Sequence, residues 1–88
     1  MASPMEVAEW MFEELRREKY LYQETVVYDI ENKFGNEFVY INENGNLAID
    51  RKVLKAFREL TEDTAVWERG QRLWRFREKY DSPGRQVE

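Results

Sequence analysis

Residues 64–80 read TAVWERGQRLWRFREKY, with Trp67-Glu68 on one side of Gly70 and Trp74-Arg75-Phe76-Arg77 on the other. Apolar and charged side chains alternating with period two suit a strand; a helix would repeat them every three or four residues. The stretch is therefore read as a two-stranded hairpin with an aromatic face. In 88 residues there is room for one modest core, so that face must be the wall against which everything else packs.

Two registers compete. With Gly70-Gln71 as a type II′ loop, Trp67 opposes Trp74 and Arg69 opposes Arg72, and Ala65, Trp67, Trp74 and Phe76 form one apolar side. With Arg69-Gly70 as the loop, Trp67 opposes Arg72 in a cation–π pair. The first sorts apolar from charged better, since Glu68, Arg75 and Arg77 then share the outer side with only Val66 and Leu73. Its tip juxtaposes two like charges at a cost of about 0.2 kcal/mol or more, relieved if an anion bridges them. The tryptophans, with Trp10, are read as core, because burying such a ring contributes roughly 2–3 kcal/mol. One of Trp67 and Trp74 is left partly exposed as a partner contact.

Upstream, Ser3-Pro4-Met5-Glu6 is a helix start, with serine as N-cap, proline in the first turn and Glu6 completing a capping box. A first helix follows to about Lys19, with Val7, Ala8, Trp10, Met11, Phe12 and Leu15 on its apolar side. Glu13 and Arg17 are an i,i+4 pair. Tyr20-Leu21-Tyr22 reads as a short extended segment. A second helix spans about residues 24–34, burying Val26, Val27, Ile30 and Phe34 and ending at Gly35. In FVYINENGNLAID, residues 38–50, Asn44-Gly45 is a two-residue hairpin signal. That loop would pair Tyr40 with Ile49 and put Phe38, Tyr40, Leu47 and Ile49 inward. Asp50 then caps a third helix whose Val53, Leu54, Phe57 and Leu60 face the core. The fold class expected is α+β, with three helices, a short strand and β-hairpins, as one domain over residues 1–80. Residues 81–88 are read as a polar, flexible tail.

Composition excludes more than it suggests. Cysteine and histidine are both absent, which removes disulfides, thiolate or imidazole metal sites and the nucleophilic triads. No phosphate-loop, dinucleotide or G-x-S-x-G motif occurs. Placing Gly45 as the glycine of a calcium loop puts Tyr40 at the first ligand position and Arg51 at the twelfth, where carboxylates are required, so that reading fails. Carboxylates alone remain for catalysis, and nothing gathers them in a cleft. No enzyme, cofactor, metal or small-molecule ligand is expected. MASPMEVAEW lacks a basic segment followed by an apolar one, and no run approaches the ~18 apolar residues of a membrane span. A cytoplasmic protein away from membranes is expected.

The net charge is −4, but unevenly distributed. Residues 1–50 carry eleven acidic against four basic side chains, and residues 51–88 seven against ten. Arg51, Lys55 and Arg58, with Lys52 beside them, line the outer face of the third helix at spacings of four and three and could neutralise phosphates. The same stripe also suits a plain solvated face, the more so with Glu59 and Glu62 at its border. Asn and Gln are missing from this helix, so base reading would fall to arginine at guanine.

The order helix, short strand, helix, helix, hairpin over residues 4–79 resembles the winged-helix form of the helix-turn-helix. That resemblance implies a third helix, residues 50–60, entering the major groove and a wing, residues 65–77, touching the backbone or minor groove. The chain departs from the pattern by spending about fifteen residues, 35–49, between its second and third helices, an insertion that either alters how the third helix is presented or blocks it. N-G-N-L-A-I at residues 44–49 and the Trp- and Arg-rich residues 67–77 also resemble segments of small bacterial and mobile-element proteins, a likeness that implies a fold and no activity. The expected function is a small binding domain for nucleic acid, with Arg51, Lys52, Lys55, Arg58, Arg69, Arg72, Arg75 and Arg77 as candidate contacts. The alternative is a protein-interaction module whose Arg and Trp surface meets an acidic partner or a second copy in a homodimer.

Overall fold

The computed structural model describes residues 2–77 and the backbone of residues 86 and 87. In order it has helix α1 (Pro4–Glu18), strand β1 (Tyr20–Tyr22), helix α2 (Gln23–Phe34), a single 3-10 turn (Asn36–Phe38), strands β2 (Val39–Ile41) and β3 (Leu47–Ile49), helix α3 (Arg51–Thr61), and strands β4 (Ala65–Glu68), β5 (Leu73–Phe76) and β6 (Gln86–Val87). This is an α+β fold with three helices and small, mainly antiparallel sheets. Of the polar stretch from residue 81, only Gln86 and Val87 are described; they pair in parallel with β4. The remainder lies outside the described residues.

Helix α1 begins at the expected Ser3 cap, whose Oγ accepts the Glu6 N–H at 3.2 Å and satisfies one of the free donors of the first turn, but the Glu6 carboxylate does not return the bond that would complete a capping box. Its 3.6-residue period buries Val7, Ala8, Met11 and Leu15, with Trp10 and Phe12 partly buried against the core. Glu13 pairs with Arg16 at 2.9 Å, and Arg17 reaches Glu14 at 2.7 Å and Glu18 at 2.9 Å. The expected Glu13–Arg17 pair gives way because residues three apart are equally close neighbours on a helix. The helix stops at Lys19, which takes the left-handed conformation (φ 74°) and donates its N–H to the Leu15 carbonyl at 2.7 Å.

The core lies between α1, α3 and the inner face of the larger sheet. Val53, Ala56 and Phe57 of α3 meet the buried side of α1, while Val26, Val27 and Ile30 of α2 and Leu21, Ala65 and Trp74 of the sheet close the remaining sides. Phe57 is fully buried and stands edge-on to Trp74, with centroids 5.2 Å apart and planes at 74°. Trp67, half-buried, leans on the other side of Trp74 at 4.7 Å. Trp10 meets Phe34 edge-on at 5.7 Å, and Phe34 meets Phe38 at 6.3 Å.

The strands of the larger sheet run in the order β1-β5-β4-β6, and within it Trp67 pairs with Trp74 and Ala65 with Phe76. This is the register that separates the aromatic face from the charged one. The tip is nevertheless different from a two-residue II′ loop. Such a loop needs a positive φ at Gly70, but here the positive φ falls on Arg72, at 56°. The Arg72 N–H bonds the Glu68 carbonyl at 2.8 Å, closing a four-residue loop, 69–72. The Glu68 carboxylate also receives Gln71 Nε2 at 3.3 Å and Arg75 Nε at 3.0 Å. Nor is the outer face a solvated one. Val66 and Leu73, expected on it among charged side chains, are 0% and 1% exposed.

The insertion between α2 and α3 is a hairpin, shifted by one residue from the expected register. Val39 pairs with Ile49, Tyr40 with Ala48 and Ile41 with Leu47. The loop has three residues, 43–45, in place of Asn44-Gly45 alone. Asn42 is the cause: its Oδ1 accepts the N–H groups of Asn44 and Asn46, both at 3.0 Å, and its carbonyl accepts Gly45 N–H at 2.9 Å. Gly45, at φ 80°, takes the left-handed position that ends a three-residue loop. One step of register reverses the facing of β2 relative to β3, while Phe38, Leu47 and Ile49 stay against the core as expected. Tyr40 is consequently 45% exposed and Val39 takes its place against the core.

Two stability measurements follow from these turns. Asn42→Ala removes two hydrogen bonds to the loop and is expected to cost about 1–2 kcal/mol, seen as a lower urea midpoint at unchanged slope and faster amide exchange at Asn44 and Asn46. Lys19→Gly relieves a left-handed non-glycine residue and is expected to gain roughly 0.5–1 kcal/mol by the same titration.

Candidate nucleic-acid interface

Helix α3 is the element on which the candidate cations converge. Asp50 Oδ1 accepts the Lys52 N–H at 2.7 Å, fixing where the helix begins. Burial of Val53, Ala56, Phe57 and Thr61 on one side then leaves the opposite side to Arg51, Lys52, Lys55 and Arg58, all four exposed. Thr61 ends the helix internally, its Oγ1 donating to the Phe57 carbonyl at 2.7 Å. Among the described residues, no carboxylate pairs with any of the four cations. The inserted hairpin packs on α2 and the turn before it and leaves the stripe uncovered.

The contrast with α1 gives this its meaning. Arg16 and Arg17 are neutralised within their own helix by Glu13, Glu14 and Glu18. The Glu14 carboxylate, hydrogen-bonded to the Arg17 guanidinium, raises its pKa above the ordinary arginine value, and the Glu18 charge adds to this. That helix has spent its positive charge locally, whereas α3 presents its own outward.

The hairpin arginines divide into two pairs. Arg69 and Arg72 are exposed in the four-residue loop. Arg72 has its Nη1 3.9 Å from Glu24 Oε1, and its carbonyl accepts Gln23 N–H at 3.2 Å, so the loop is tied to the first turn of α2. No strand pair sets Arg69 against Arg72, and an acidic neighbour already stands beside one of them. Arg75 and Arg77 belong to the framework. The Arg75 side chain is 15% exposed, bonded to Glu68 at 3.0 Å and to the Phe76 carbonyl at 3.2 Å. Arg77 is half-buried and its N–H bonds the Thr64 carbonyl at 2.8 Å.

A concavity of about 430 Å³ lies between the end of α1, β1 and the start of α2. Its walls include Glu14, Glu18, Asp29, Tyr20 and Tyr22, none of them among the candidate contacts. The sequence held one sign of it. Period-two alternation in Tyr20-Leu21-Tyr22 buries Leu21 and turns two rings to the other face, where they are 53% and 49% exposed. No helix among the described residues is long and apolar enough to cross a membrane.

No curated protein and no solved structure matches the chain. One family model matches residues 3–76, a span from the Ser3 cap through all three helices to the last residue of β5, which takes in both the α3 stripe and the loop arginines. Over that span the chain belongs to the family of unknown function DUF6953.

Proposed function

We propose that this domain binds the phosphate backbone of double-stranded nucleic acid, with α3 as the main contact and the loop of residues 69–72 as a lesser one. The observation that carries the reading is the set of four exposed cations on α3, Arg51, Lys52, Lys55 and Arg58, that no described carboxylate neutralises. The element order supports the winged-helix reading, with the first strand joined to the hairpin that follows the third helix. Phosphates are the targets that a row of cations fits, since each contact releases condensed counterions and needs no particular base. With no Asn or Gln on this face to read adenine, base recognition is confined to guanine and sequence preference is weak. Of the hairpin arginines, Arg69 and Arg72 belong to the interface and the sheltered Arg75 does not.

The overall charge of −4 weighs against long-range attraction to a polyanion; the rival reading is that the same face docks an acidic protein surface or a second copy of the chain. A molar mass of a single chain at high concentration in light scattering rules out the second copy.

Titration with mixed-sequence duplex DNA separates the readings. Four phosphate contacts predict affinity falling with salt at a log–log slope of about −3.6. The Arg51→Glu, Lys55→Glu variant is expected to lose at least about tenfold in affinity, while Arg75→Gln leaves the slope unchanged. Absence of binding at low salt would sink the proposal.

A further inference from the structure

The groove between α1, β1 and α2 shares no residue with the α3 stripe, and its chemistry is of the opposite sign. At about 430 Å³ it falls within the roughly 300–1,000 Å³ range of ligand clefts. Leu21 and Val26, both nearly buried, form an apolar floor. The rim carries the phenol rings of Tyr20 and Tyr22, the Thr25 hydroxyl and three carboxylates, Glu14, Glu18 and Asp29. The one cation present, Arg17, is already held by Glu14 and Glu18. Asp29 has no partner among the described residues.

The backbone adds an independent feature. Strand β1 is an edge of the larger sheet. Because Gln23 N–H donates to the Arg72 carbonyl, the antiparallel alternation also turns Leu21 toward β5 and directs the N–H groups of Tyr20 and Tyr22 away from it. Tyr20, Leu21 and Tyr22 all line the groove, so donors of an unpaired strand edge lie beside an aromatic, acidic rim. No three carboxylates of the described residues converge closely enough to hold a metal ion; the negative charge is spread over a length that suits a larger cationic group.

We propose that this groove docks an extended, basic peptide segment of a protein partner, which adds to the edge of β1 and lays a Lys or Arg side chain between the tyrosine rings and Asp29. Main-chain bonds to β1 hold the segment, and cation–π and carboxylate contacts select its charge. The domain then has two oppositely charged faces, one on α3 and one here.

The test is titration of ¹⁵N-labelled protein, at physiological salt, with acetyl-Val-Arg-Val-Arg-Val-amide and with the matching Val-Glu-Val-Glu-Val peptide. The basic peptide is expected to shift the amides of Tyr20, Tyr22, Thr25 and Asp29, and the acidic one to leave them unmoved. Asp29→Lys, at an exposed helical position, is expected to weaken binding at least tenfold, with the spectrum of the fold retained. The Arg51→Glu, Lys55→Glu variant should bind the basic peptide as the parent does, so loss of nucleic-acid binding leaves this result intact. Equal binding of both peptides, shifts scattered over other acidic surfaces, an unaffected Asp29→Lys variant, or no shifts at all would each overturn the proposal.

Discussion

The edge-to-face contact of Phe57 with Trp74, 5.2 Å between centroids, is the interaction on which the other features of the domain depend. It joins the middle of α3 to the centre of the larger sheet. Phe57 is fixed at one helical phase, so Arg51, Lys55 and Arg58 are fixed at the opposite phase, facing out. Trp74 is in turn braced by Trp67 across the strand pair and by Leu21 in β1. A change of register in the β4–β5 hairpin would therefore disturb the orientation of α3 and the exposure of its cations together. The position of the positive face is a consequence of aromatic packing on its far side.

Charge in the molecule is managed locally, helix by helix. Helix α1 carries an excess of glutamate and pairs both of its arginines within the helix, so it presents no free positive charge. Helix α3 has basic residues along its outer face and Asp50 at its cap, where a negative charge complements the helix N-terminus. Glu68 serves a third purpose, gathering Arg75, Gln71 and the Arg72 N–H around one residue and thereby closing the hairpin. An arginine count along residues 65–77 accordingly overstates the positive surface. The Arg75 guanidinium, at least, is committed to Glu68 within the sheet.

Much of this was legible in the sequence because local chemistry and global packing agree there. The Ser3 and Asp50 caps, the strand at Tyr20, the Trp67–Trp74 pairing and the buried phase of the helices follow from spacing and capping residues, except that on α3 Ala56 and Thr61 are buried where Leu54 and Leu60, half-buried, had been expected. Two turns were misread, one because a side chain binds backbone and one because the backbone closes a wider loop. Asn42 captured two loop amides and lengthened its turn by one residue, which reversed the facing of Tyr40. Glu68 and Arg72 together closed a four-residue loop where glycine had suggested two. The burial of Val66 and Leu73 was hidden because alternation within a hairpin tells which residues share a face but not whether that face is covered. Of the candidate site, the α3 stripe was legible because it is local. The groove was not, because it joins residues from three elements.

The central claim, that the Phe57–Trp74 contact couples α3 to the sheet, is tested most directly by a double-mutant cycle on unfolding free energy with Phe57→Leu, Trp74→Leu and the pair combined. The account predicts a coupling of about 1 kcal/mol, the double variant losing less than the sum of the singles. Costs that add to within about 0.3 kcal/mol would show that helix and sheet are held independently and would contradict it.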